Sequence, residues 1–136
     1  RYCALGRRKG PSGMKGGYEA RLSADTYRDD VQCEIRLQPD PRDEGGDPMV
    51  GWISERLLGR LRHVALAYEL PLLGRLPGNG SIAYPEIQLG SLEDELEFLF
   101  DVLSDEVLLE AISPMREMIR KAGREPRGWS LMVEAP

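Results

Sequence analysis

Carboxylates are the reactive groups this chain has in quantity: 23 Asp and Glu stand against 18 Lys and Arg, one histidine and two cysteines. General acid–base chemistry needs two such carboxyls in one pocket, with their proton affinities pushed apart. Every carboxylate cluster here falls instead on an expected wet helix face or in a loop. The densest loop, residues 39–47, holds Asp40, Asp43, Glu44 and Asp47 and superficially suggests calcium. It lacks the alternate oxygen positions, central glycine and closing Glu of an EF-hand. His63, Cys3 and Cys33 are too few for a zinc site. No Ser, Cys or Asp nucleophile pattern surrounds His63, so it is expected to be a partly buried hydrogen-bonding residue. The Gly78-Asn79-Gly80 run precedes a strand, whereas a dinucleotide-binding glycine motif follows one and opens a helix. The sequence therefore offers no catalytic, cofactor-binding or metal-ligating residue.

What remains unusual is residues 91–122, where charge and hydrophobicity are both ordered. At about 100° per residue, Leu92, Leu96, Leu99 and Leu103 fall on one line with Phe100 and Val102 flanking it. Asp94, Glu97 and Asp101 fall opposite, and Phe98 stands with them rather than with the leucines. Ser91 is the expected N-cap. From Asp105 the phase changes: Val107, Leu108, Ala111, Ile112, Met115, Met118, Ile119 and Ala122 share one face, so Ser104 is expected to cap a second helix. Pro114 predicts a kink or restart within it. Residues 93–110 contain eight carboxylates and no base; residues 116–127 contain five bases and two acids. A solvated face explains this segregation. So does a surface for a cationic protein, with Asp94, Glu97 and Asp101 attracting it and Phe98 as anchor, unless Phe98 lies under a neighbouring loop.

The elements that must carry these faces follow in chain order. Residues 1–17 form a basic, glycine-rich arm, or a short strand at 2–5 plus a loop, with five bases and no acid. Residues 18–24 and 31–37 alternate with period two, Tyr18, Ala20, Leu22 and Ala24 then Val31, Cys33, Ile35 and Leu37 inward, and predict an antiparallel hairpin. Asp47 and Pro48 resemble a helix start, and residues 48–70 are expected to be helical. Val50, Ile53, Leu57, Leu61, Val64 and Tyr68 make its main stripe. A second stripe, Trp52, Gly59, Leu66 and Leu70, predicts self-association or an internal contact, with another backbone close to Gly59. Residues 81–89 read as a strand interrupted at Pro85, and Trp129, Leu131, Val133 and Ala135 alternate in a last one.

The order of elements predicts an α+β fold: a mostly antiparallel sheet of four to five strands with helices packed on one face, and residues 18–136 as one domain. Leu96, Leu99, Leu103, Ile53, Leu57, Leu61, Ile35 and Trp129 are the expected core. A net charge of −5 argues against general nucleic-acid binding. No apolar run is long enough to span a membrane, and residues 1–10 lack the apolar centre of a signal peptide. With two cysteines, a reducing cytoplasm is the expected setting. Three functions fit, in decreasing order. The first is a protein-binding module docking a basic partner through its acidic helix face, comparable in charge and size to small inhibitors and immunity proteins. The second is a self-associating accessory domain using Trp52, Leu66 and Leu70, a homodimer in its simplest form. The third is a small carboxylate enzyme.

Overall fold

A computed structural model describes residues 24–43 and 46–136. Its sheet has four strands: β1 (Gln32–Gln38), β2 (Met49–Ser54), β3 (Gly80–Pro85) and β4 (Ser130–Ala135). Their order is β2-β1-β4-β3, every pair antiparallel. Three helices join them: α1 (Glu55–Ala67), α2 (Glu86–Val102) and α3 (Glu106–Arg124). The fold is α+β, as the sequence predicts.

Alternation decides which side of the sheet is dry. Gly51, Ile35, Val133 and Ile82 line up across the four strands, as do Met49, Leu37, Leu131 and Tyr84. These rows face the helices, and Cys33, Ile35, Leu37, Leu131, Val133 and Tyr84 are fully buried. Gly51 lies close under α3: a methyl group in its place would meet the terminal methyl of Met118 at 3.1 Å. The intervening rows, Trp52–Glu34–Glu134–Ser81 and Val50–Arg36–Met132–Ala83, face away from the helices.

The expected core is in place: Ile35, Ile53, Leu57, Leu61, Leu96, Leu99 and Trp129 are buried, and Leu103, at the end of α2, is half-buried. The inward stripe of α3 is likewise confirmed through Leu108, Ile112, Met115, Met118, Ile119 and Ala122.

Several boundaries differ from the expectation. Residues 48–70 are not one helix, because Met49–Ser54 pairs with β1, Ile53 opposite Cys33 and Trp52 opposite Glu34. The helix starts only at Glu55, where the Ser54 hydroxyl accepts from Leu57 N at 3.3 Å. Val31, Val50 and Tyr68, expected inside, are exposed. Residues 31–37 cannot form the expected hairpin with 18–24, since β1 has β2 on one edge and β4 on the other. Residues 18–23 and Cys3 lie outside the described residues, and Ala24 opens a short 3₁₀ turn, Ala24–Tyr27. Cys33 is a buried free thiol. The strand expected over 81–89 ends at Pro85, which becomes the N-cap of α2. Proline fits that position because its missing N–H is one a helix start leaves unpaired anyway. Ser91 is therefore inside α2, and Asp105 rather than Ser104 caps α3, accepting from Leu108 N at 3.2 Å. The helix α3 runs through Pro114 without restarting. Glu110, whose carbonyl loses its partner there, is exposed to water.

Gly59 has no neighbour within 4 Å of an added methyl group, so no backbone approaches it. It sits in the interior of α1 with ordinary helical geometry. Gly59→Ala should therefore stabilise the protein by about 1 kcal/mol, the helix-propensity difference. A lower melting temperature in that variant would show that the open space is filled by something else.

Candidate functional site

The outer face of α2 is the surface the sequence singles out. Successive positions 87, 91, 94, 98, 101 and 102 stay within one sector of a helix with 3.6 residues per turn. Ile87, Ser91, Asp94, Phe98, Asp101 and Val102 are all exposed. The structure thus brings Asp94, Phe98 and Asp101 together on one accessible face.

Glu97 belongs to the border of that face and is already engaged. Helices α2 and α3 run antiparallel, so the carboxylates of α2 meet the basic half of α3. Arg120 Nη2 donates to Glu97 at 2.6 Å and its Nε donates to Glu93 at 3.3 Å. Arg116 lies 3.5 Å from Glu97, and its guanidinium stacks 3.7 Å from the centre of the Phe100 ring. These carboxylates hold Arg120 in its charged form against the desolvation that disfavours it. Part of the charge segregation is therefore an internal clasp between two helices.

Two more of the eight carboxylates in residues 93–110 are internal as well. Glu95 is buried and accepts from Leu72 N at 3.0 Å and Leu73 N at 2.8 Å. Asp105 caps α3 and is paired with Arg60. Among the described residues, neither Asp94 nor Asp101 makes a salt bridge, which leaves both carboxylates facing solvent on the outer face.

Phe98 is 38% exposed. Its neighbour is Tyr68, at the C-terminus of α1, in an edge-to-face contact with ring centres 5.2 Å apart. Tyr68 is itself 45% exposed. The two rings support each other and extend the apolar surface from α2 onto α1. Sequence reasoning placed Tyr68 in the core stripe and so missed it; only the end of α1 at Ala67 turns it outward.

Comparison with family models, curated proteins and solved structures finds no match to this chain.

The second expected surface does not exist as one stripe. Trp52 lies on β2, Leu66 is exposed on α1, and Leu70 is half-buried against the core beyond the helix. Trp52 stands in the row with Glu34 and Glu134 on the sheet face turned away from the helices, whereas Leu66 belongs to the helical layer. His63 is exposed rather than partly buried. It borders a shallow depression of about 310 Å³ with Thr26, Tyr27, Arg56, Gly59 and Arg60. The basic groups there are committed: Arg56 donates to Asp30 at 2.7 Å and Arg60 to the Tyr27 hydroxyl at 2.6 Å. The Arg56 guanidinium, with the Ser54 hydroxyl, holds the Asp30 carboxyl below its ordinary range. In the acidic loop, Asp40 binds Arg42 at 2.9 Å and Asp43 binds Arg127 at 3.1 Å. Those carboxylates organise the loop and tie it to the turn before β4.

Proposed function

We propose that this chain is a protein-binding module that docks a basic partner on the outer face of α2, by analogy with small inhibitors and immunity proteins. The observation that carries this reading is the combination on one accessible face of two carboxylates that make no salt bridge among the described residues, Asp94 and Asp101, with the exposed pair Phe98 and Tyr68. Ile87, 88% exposed, and Val102, 42% exposed, extend the apolar surface along the helix. A helix whose outward sector carries Ile87, Phe98 and Val102, with Tyr68 of α1 beside them, has more to bury than solubility requires. An aromatic anchor flanked by charges is a common composition of a binding hot spot. The partner's cations would meet Asp94 and Asp101, while Glu97 holds α3 in place. We infer a reducing, cytoplasmic setting for the same module, in keeping with the free thiol of Cys33.

Charge and burial act on different rate constants, which makes the reading testable. Opposite charge mainly raises the association rate, and buried aromatic area mainly slows dissociation. With a captured partner, D94K/D101K should slow association by about tenfold at low salt and flatten its salt dependence. Phe98→Ala should leave association nearly unchanged and speed dissociation about thirtyfold, the equivalent of about 2 kcal/mol. Substituting Glu97 is less informative, because it would also break the clasp to Arg116 and Arg120. Unchanged kinetics in both variants would refute the proposal.

A further inference from the structure

Each outer strand of the sheet has one side with no neighbouring strand among the described residues, and β2 is the one that carries large exposed apolar groups. Its register with β1 runs unbroken from Met49 opposite Leu37 to Ser54 opposite Gln32. One step further, Glu55 N donates to Val31 O at 2.9 Å. Opposed residues of an antiparallel pair alternate between exchanging hydrogen bonds and not doing so. Met49, Gly51 and Ile53 are therefore the residues of β2 bonded to β1, and the N–H and C=O groups of Val50 and Trp52 point the other way, to the open edge. The same two residues carry the exposed side chains of the strand, 44% and 56% accessible, on the sheet face turned from the helices. Edges of this kind are ordinarily blunted by a charge, a proline or a bulge. The strand Met49–Ser54 has none of the three. Carried across the sheet, the same alternation turns Ser81, Ala83 and Pro85 of β3 outward, residues that are small or lack the donor.

We propose that β2 pairs antiparallel with β2 of a second copy of this chain about a twofold axis at Gly51, joining two four-stranded sheets edge to edge. In this register Val50 of each copy lies opposite Trp52 of the other, and each such pair exchanges both backbone hydrogen bonds. A β-branched residue opposite an aromatic one is a favourable cross-strand pair. Charge selects the register. The Trp52 row, which holds Glu34, continues into the partner's Val50 row, which holds the partner's Arg36. Opposite charges thus share a row across the seam, with the indole between them. Val50 opposite the partner's Val50 would instead put Arg36 in a row with the partner's Arg36. Trp52 opposite the partner's Trp52 would do the same with Glu34. The strand itself carries no charge that would meet its own copy. Such an isologous contact closes at two copies, whereas β2 against β3 would run on without end. The seam is separate from the outer face of α2, and the proposal does not depend on that surface.

Sedimentation of the full chain over a dilution series reads the association, and residue-resolved hydrogen exchange locates it. A seam one strand wide is small, so the dimer should form reversibly, at roughly tens of micromolar. As concentration rises, the amides of Val50 and Trp52 should exchange about tenfold more slowly or better, while those of Ser81 and Ala83 stay fast. V50P removes an outward donor and no bond to β1. It should weaken the dimer at least about tenfold and leave the melting temperature of the dilute protein near that of wild type. W52K, an edge lysine facing the partner's Arg36 row, should weaken it by a similar factor. Circular dichroism checks the fold of both variants, and Phe98→Ala should leave the dimer intact. A chain that stays monomeric at every concentration would overturn the proposal, leaving the edge to an unlike strand. So would a dimer in which the Val50 and Trp52 amides stay fast, or one that folded V50P and W52K leave unchanged. A mass that keeps growing while Ser81 and Ala83 become protected would also overturn it.

Discussion

Leu99→Ala should lower the stability of the protein by roughly 2–5 kcal/mol, combining lost apolar transfer with the cavity left behind. Leu99 is completely buried on α2, in line with Leu92 and Leu96, which are buried too. It helps seat α2 beneath the outer face, and total stabilities of such domains are commonly about 5–15 kcal/mol. The loss should appear in urea unfolding as a lower midpoint with an unchanged slope. A cost below about 1 kcal/mol would mean that α2 is not held as described, since a filled core site cannot lose a leucine so cheaply.

Glu95→Ala should cost about 2–4 kcal/mol for a different reason. The Glu95 carboxylate binds Leu72 N and Leu73 N, one oxygen to each, where the chain turns into the short 3₁₀ segment Leu73–Arg75. The Tyr84 hydroxyl donates to Leu72 O at 2.7 Å in the same turn. Alanine leaves two backbone donors without partners in a largely buried place, at about 1–3 kcal/mol each. Glu95→Gln keeps one carbonyl acceptor and should lose about half as much. Urea titrations of both variants check this, together with faster hydrogen exchange at the Leu73 amide in the alanine variant. Equal stability for the alanine and glutamine variants would contradict the assignment.

Long periodic runs with one unambiguous phase were legible in the sequence. The leucine line of α2, the inward stripe of α3 and the alternation of β1 and β4 each follow from spacing alone, because each buries one face. Where a short run satisfies two periods, spacing misleads. Val50, Ile53 and Leu57 fit a helical stripe, and Asp47-Pro48 imitates a helix start, yet the six residues of β2 are fixed by pairing with β1. That is a tertiary contact, invisible locally. Ile82, Tyr84, Ile87 and Leu89 likewise looked like one slipping strand, whereas Pro85 is the boundary between β3 and α2.

The candidate face was half legible. Asp94, Phe98 and Asp101 share a sector through helix geometry, which the sequence specifies. The commitment of Glu97 to Arg120 depends on α2 and α3 lying antiparallel. The order of acidic then basic halves hints at this, but only packing establishes it. Tyr68 could not be foreseen, because its exposure depends on where α1 stops.

The most direct measurement replaces Phe98 with a photo-crosslinking phenylalanine analogue in the full chain, irradiated in the cells that produce it. Parallel proteins carry the analogue at Val102 and, as a control, at Arg124, exposed at the far end of α3. The account predicts one shared adduct at positions 98 and 102, absent at 124, whose captured protein is basic and is lost when D94K/D101K is added. No adduct at 98 beyond that at 124, or an adduct with an acidic protein indifferent to D94K/D101K, would contradict it.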